Sequence, residues 1–104
     1  MVFIETPIFT RQIKALITDE AYHVFQKLLA ENPEAGEVIP RTGGLRKIRM
    51  ALPDAGKSGG ARVIYYHLRD AAQILLLLAY GKSEQADLTF EQRRALRKII
   101  ETWK

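Results

Sequence analysis

Hydrophobic and polar positions alternate in two neighbouring stretches of this chain of 104 residues, Leu45–Leu52 and Ala61–Leu68. A period of two is typical of strands whose two faces differ. The polar, glycine-rich loop between the stretches predicts a turn, so together they indicate a β-hairpin. Further on, Gln73–Tyr80 is almost continuously apolar. A run of this length predicts a central strand that is buried on both faces.

Three other segments show helical spacing. The hydroxyl of Thr6 before a proline predicts one helix start, and Thr18 predicts a second helix that ends at the Asn-Pro pair 32–33. Thr89 with Gln92 three residues later forms a capping box, which predicts the last helix. The expected buried faces are Phe9, Ile13, Leu16 and Ile17, then Ala21, Val24, Phe25, Leu28 and Leu29, then Leu96, Ile99, Ile100 and Trp103, with Arg93, Arg94, Arg97 and Lys98 outside the last helix.

A short first strand at Val2–Glu5 and a connecting loop over residues 33–43 complete the expected order, β-α-α-β-β-β-α. This order predicts an α+β fold in which helices pack on a small antiparallel meander. A length of 104 residues suits one domain, which we expect to span residues 1–104.

The positive charge of the chain is concentrated in the predicted hairpin. The formal net charge is +4, yet the stretch from Arg41 to His67 alone carries +5, because Asp54 is its only acid. A merely solvated face would carry interleaved acids, so the pattern favours a polyanionic partner. The six cations of this stretch are Arg41, Arg46, Lys47, Arg49, Lys57 and Arg62.

Strand alternation gathers part of this charge. Lys47 and Arg49 share one face of the first hairpin strand, and Arg62 shares a face of the second with Tyr66. If these faces coincide, the like charges destabilise each other and an anion would stabilise them. Lys82 directly follows the buried strand and is expected near the same rim, unless it is an ordinary solvated lysine. Tyr66 is a candidate for stacking on a base, although core packing is the commoner role of a strand tyrosine.

Several classes of site are not expected. The chain has no cysteine, and its two histidines lack metal-ligand spacing, so we expect neither a metal nor another cofactor. Gly-Lys-Ser occurs twice without the earlier glycine of a phosphate-binding loop, which argues against nucleotide hydrolysis. The N-terminal stretch lacks the features of a signal peptide, and no apolar run is long enough to span a bilayer. We therefore expect a cytoplasmic protein that has no membrane partner.

A cluster of cations suits one reaction in particular. RNA carries its own nucleophile, the 2′-hydroxyl, and its cleavage needs stabilisation of the extra charge on phosphorus together with proton transfer. Lysine and arginine supply the first by electrostatics. A lysine beside other cations has a lowered pKa and can supply the second. The carboxylate of Glu84 is a further candidate proton acceptor, although an ion pair to a nearby cation is its expected role. A plain nucleic-acid-binding module would also carry such a cluster.

The strings GGLRKIRMA, GGARVIYYHL and LLLLAYGKSEQADLT resemble the RelE/ParE superfamily of bacterial toxins, and within it the HigB-type branch. The resemblance covers nearly the whole chain. It implies a ribonuclease that cuts mRNA in the ribosomal A site and is held inactive by a cognate antitoxin. The antitoxin is expected to be a small helix-turn-helix protein, with operator DNA bound only through the complex.

The resemblance also suggests roles for individual residues. It implies catalytic positions at Lys47, Arg49, Arg62 and Lys82. RNA or ribosome binding is expected of Arg41, Arg46, Lys57 and Tyr66. The chain departs from the common pattern at Ser83, where many members have arginine, and at Thr89, near which many have tyrosine. The ParE branch inhibits DNA gyrase and lacks the basic catalytic set, so a non-catalytic gyrase inhibitor is the alternative function.

Overall fold

A five-stranded sheet is the centre of the computed structural model of the chain, which describes residues 1–51 and 60–103. The strands lie in the order β1-β5-β4-β3-β2. The elements along the chain are β1 (Val2–Glu5), α1 (Pro7–Leu16), α2 (Asp19–Glu31), β2 (Glu37–Val38), β3 (Arg46–Ala51), β4 (Gly60–Leu68), β5 (Gln73–Gly81) and α3 (Phe90–Trp103).

The α+β class is confirmed, but the predicted element order and the purely antiparallel meander are wrong. Strand β2 lies inside the expected loop 33–43 and pairs with β3. Its two residues are too few to show a period, and both are exposed. Strand β1 pairs in parallel with β5, so the sheet is mixed. The apolar pattern identifies β1 and β5, but it carries no information about the direction in which these two strands pair.

All three predicted helix starts are confirmed by their caps. The Thr6 hydroxyl accepts the N–H of Phe9 at 3.0 Å, and the Thr18 hydroxyl accepts the N–H of Ala21 at 3.1 Å. The Thr89 hydroxyl accepts the N–H of Gln92 at 3.1 Å, while the Gln92 side chain accepts the N–H of Thr89 at 3.0 Å. These bonds satisfy donors that the first turn of a helix cannot pair internally. Local sequence therefore determines where each helix begins.

The two faces of the sheet carry separate cores. Helices α1 and α2 cover one face, and α3 covers the other, so that β5 is buried on both sides as predicted. Three residues of the predicted apolar stripes are exposed instead: Val24 by 66%, Leu28 by 49% and Trp103 by 45%. Only Phe25 and Leu29 of α2 are buried. The part of the helix surface that packs on the rest of the protein is therefore narrower than the apolar face of the helix.

The hydroxyl of Tyr65 binds the segment between α2 and β3 to the sheet through two hydrogen bonds. Its hydroxyl accepts the N–H of Gly36 at 2.8 Å and donates to the carbonyl of Pro33 at 2.9 Å. A Cβ at Gly36 would lie 2.8 Å from the Tyr65 ring and from the Lys47 carbonyl oxygen. Only glycine fits at this distance, so the segment is held closely against β3 and β4.

Glu34 fastens the same segment through charge. Its carboxylate accepts from Arg69 Nε at 2.8 Å, lies 3.2 Å from His67 Nδ1 and lies 3.7 Å from Arg46 Nη2. The hydrogen bond from Arg69, followed by that with His67, lowers the pKa of Glu34 from 4.5 to about 2. The ionised carboxylate thus links the loop to the far end of β4.

We expect this link to make the stability of the protein depend on acid pH. Because the pKa of Glu34 is lower in the folded state, its contribution is complete above 4.5 and is lost as the pH falls towards about 2. Urea midpoints measured at about pH 6 and about pH 3 should differ less in Glu34→Gln than in the wild type. Glu31→Gln, at an exposed position of α2, is the control. An unchanged difference in Glu34→Gln would contradict the assignment.

None of the helices in residues 1–51 and 60–103 is long and apolar enough to cross a membrane.

Candidate nucleic-acid interface

The register of the hairpin brings the predicted cations onto one face. Arg49 and Arg62 are Cα partners across β3 and β4, and Lys47 is the partner of Ile64. Directly opposed residues in an antiparallel pair project from the same side. Ile64 belongs to the core on the α3 side, so Lys47, Arg49 and Arg62 all project towards that side. The common face predicted from the alternation is confirmed.

These three residues, Lys47, Arg49 and Arg62, which we term the basic cluster, line an open cleft of about 250 Å³. The other wall of the cleft comes from the segment that Tyr65 and Glu34 fasten, namely Ala35, Gly36 and Glu37. No cation of the cluster forms an ion pair with another described residue. Opposed like charges destabilise an empty site, so an anion in this cleft would stabilise it.

Lys82 joins the same end of the sheet. Its backbone N–H donates to the Gly60 carbonyl at 2.8 Å, which continues the β4–β5 ladder past the last residue of β5. A Cβ at Gly60 would in turn lie 3.8 Å from Arg49 Nε. Lys82 is therefore bonded to Gly60, and Gly60 lies beside the side chain of Arg49. Lys82 itself is half-buried. The expected ion pair of Glu84 is not formed with any described residue, and its carboxylate instead accepts the N–H of Gly81 at 3.2 Å.

Two of the other expected RNA-binding residues lie away from the cluster. Arg46 projects from the opposite face, where its Nη1 donates to the Gly36 carbonyl at 2.7 Å. Tyr66 is four positions beyond Arg62, about 13 Å along the strand, and lines a separate cavity of about 560 Å³ with Trp103. Alternation places Arg46 on the face opposite Lys47 and Arg49, and the loop that folds over the sheet edge supplies its hydrogen-bond partners there.

Of the last two expected positions, one is among the described residues and is not a lining residue of the cleft. Arg41 is exposed in the loop before β3, with a φ of 63°. Lys57 lies outside the described residues.

The structure adds residues that the sequence analysis did not select. Glu37 of β2 lines the cleft and is the Cα partner of Lys47. Tyr80 is the Cα partner of Arg62, and Arg93 approaches from α3. The expected exposure of Arg93 holds only in part, because this residue lies on the same helical face as the buried Leu96 and Ile100. That spacing was visible in the sequence and could have identified it.

Residues 6–104 match the family model described as RelE toxin of the RelE / RelB toxin-antitoxin system. This chain belongs to the RelE toxin family. It is thus a toxin of a toxin–antitoxin system, and the family implies an antitoxin as its partner. RelE family toxins are generally ribonucleases that cleave mRNA.

In this RelE family toxin, the cluster can act on a phosphodiester in two ways. Arginine side chains present planar donor pairs that match phosphate oxygens, and lysine presents a compact charge that can also transfer a proton. Both residue types stand on paired strands, which hold them more rigidly than a loop would. Among the described residues, no group of three or more His, Cys, Asp or Glu side chains could hold a metal ion.

Proposed function

We propose that this toxin is a ribosome-dependent mRNA endonuclease of the HigB-type branch that arrests translation. The observation that carries the proposal is the basic cluster, in which Arg49 opposes Arg62 and Lys47 stands on the same face, none of the three in an ion pair with another described residue. Such an arrangement is unfavourable when empty and favourable around a phosphodiester. Family membership supports the same function.

In the proposed reaction, the 2′-oxygen of the substrate attacks the adjacent phosphorus, and the bond to the 5′-oxygen of the next nucleotide breaks. The 2′-hydroxyl proton passes to a base, and an acid donates a proton to the leaving 5′-oxygen. Arg49 and Arg62 stabilise the charge that develops on the phosphorane oxygens. Lys47 and Lys82 are the candidate groups for proton transfer.

The departures from the family pattern limit what other residues can contribute. The hydroxyl of Thr89 is engaged in the cap of α3, and Ser83 is exposed and uncharged at physiological pH. We therefore assign the chemistry to the four basic residues and no step to these two. For the partner, we propose a small helix-turn-helix antitoxin whose complex with the toxin binds operator DNA.

We predict that cleavage depends on the ribosome. The cluster is a small surface on which to hold RNA in one pose, so binding to free RNA should be weak and should fall steeply with salt. Primer-extension mapping after brief induction in cells should reveal cuts within translated reading frames. The purified toxin should cut the same mRNA in a translating extract and leave it intact when ribosomes are removed.

Two outcomes would contradict this proposal. Efficient cutting of naked RNA at micromolar toxin would exclude the dependence on the ribosome. A DNA-damage response without translation arrest would favour the gyrase inhibitor, which is the alternative function. Arg62→Ala serves as the inactive control in each arm.

A further inference from the structure

Three buried donors with no hydrogen-bond partner among the described residues lie behind the basic cluster. They are Arg62 Nε, the Tyr80 hydroxyl and Arg93 Nε. Buried polar groups are almost always paired, and an unpaired one costs free energy. Arg62 and Tyr80 are directly opposed across β4 and β5, so they project from the same face. The two guanidinium nitrogens can only donate and the phenol can donate as well, so a single acceptor can serve all three groups.

The charges around Tyr80 favour an acceptor that is negative. Two guanidinium groups, those of Arg62 and Arg93, act on its phenol, against the single carboxylate of Asp87. Burial, followed by the charge of Asp87, raises the pKa of Tyr80. The phenol therefore keeps its proton and remains a donor at neutral pH.

Arg93 is loosely held where it now lies. Its Nη2 is 3.9 Å from Asp87 Oδ2, well beyond the 2.7–2.9 Å typical of a charge-assisted hydrogen bond. The Arg93 side chain is 41% exposed. Because little would be lost on leaving Asp87, this arginine can turn to a second acceptor.

We propose that Arg62, Tyr80 and Arg93 form an oxyanion subsite that receives a phosphate oxygen of the bound RNA. This inference rests on the proposed function, since it names a subsite of the same site. Arg62 would then contact phosphate from both sides of its guanidinium, with Nε directed into the subsite and the Nη groups towards the cleft. Tyr80 and Arg93 act as RNA-binding residues that hold the phosphate against Arg62.

Inorganic phosphate is the probe for this subsite. Thermal unfolding of the toxin in phosphate should be compared with unfolding in chloride at equal ionic strength, for the wild type, Tyr80→Phe and Arg93→Gln. Phosphate should raise the Tm of the wild type, since it binds the folded state only. Loss of one hydrogen bond to a charged group should raise the apparent Kd for phosphate about tenfold in either variant. Arg97→Gln is the control, because Arg97 pairs with Glu101 on the exposed side of α3.

Tyr80→Phe gives a second readout whose sign separates binding from a structural role. In chloride, its Tm should rise by about 4–8 °C, because the variant removes a buried hydroxyl that makes no hydrogen bond. A merely structural tyrosine would give a lower Tm. Equal phosphate shifts in all four proteins, or a Tm of Tyr80→Phe below that of the wild type, would overturn the subsite.

The subsite and the proposed function can fail separately. If phosphate raises the Tm in a way that depends on Tyr80 and Arg93, but the toxin cuts no mRNA on ribosomes, the subsite is supported and the endonuclease function is excluded. Cleavage of mRNA on ribosomes, together with a Tm that phosphate does not change, would support the endonuclease and exclude the subsite.

Discussion

Arg62→Ala is expected to abolish growth arrest by this toxin while leaving its fold intact. Arg62 is the member of the basic cluster that stands in the middle of the sheet, with Arg49 opposite it on one neighbouring strand and Tyr80 on the other. A positioned charge beside a reacting phosphate is worth on the order of a hundredfold or more in rate. Growth curves after induction, together with cleavage on ribosomes in vitro, measure the effect.

Two further variants serve as controls for Arg62→Ala. Arg11→Ala removes an exposed cation from α1, on the opposite face of the sheet, and should remain fully toxic. Arg62→Lys keeps the charge but loses the planar donor pair, so its activity should lie between those of alanine and arginine. Unchanged toxicity of Arg62→Ala at equal protein level would remove Arg62 from the site.

Tyr65→Phe is expected to lower the free energy of unfolding by about 3 kcal/mol. The ring, which is fully buried, keeps its packing. The substitution leaves the N–H of Gly36 and the carbonyl of Pro33 without the hydroxyl that they share. Urea unfolding would give the change as a shifted midpoint at a constant slope.

Tyr80→Phe is the matched control for this measurement. Both tyrosines are buried in adjacent strands of one sheet, and both changes remove a single hydroxyl. The Tyr65 hydroxyl has two partners, whereas the Tyr80 hydroxyl has none among the described residues. The two variants should therefore shift the midpoint in opposite directions. A loss of stability of equal size in both would contradict the assignment of the effect to the hydrogen bonds of the Tyr65 hydroxyl.

The features that sequence predicted well are those that depend on neighbours in the chain. The caps at Thr6, Thr18 and Thr89 need only residues three positions away. The shared face of Lys47, Arg49 and Arg62 follows from alternation once a hairpin is assumed. Both kinds of inference use local geometry that tertiary packing did not override.

The features that it missed depend on contacts between distant segments. Strand β2 exists because residues 37 and 38 meet β3, and the guanidinium of Arg46 is held on the face opposite the cleft by the carbonyls of Gly36 and Glu34. Charge composition grouped Arg46 with the cluster and left out Arg93, whose place is set by the docking of α3 on the sheet. Which cations share a cleft is thus decided by the path of the loops around the strands.

The parallel pairing of β1 with β5 has a consequence for the synthesis of the toxin. Val2, in the N-terminal strand β1, pairs with Gln73, and β5 is also the strand that pairs Tyr80 with Arg62 and leads into Lys82. The sheet therefore cannot close, and the four basic residues cannot be held together, until most of the chain has left the ribosome. A nascent toxin carries its charges on separate, unpaired strands. The basic residues of this toxin therefore come together only late in its synthesis.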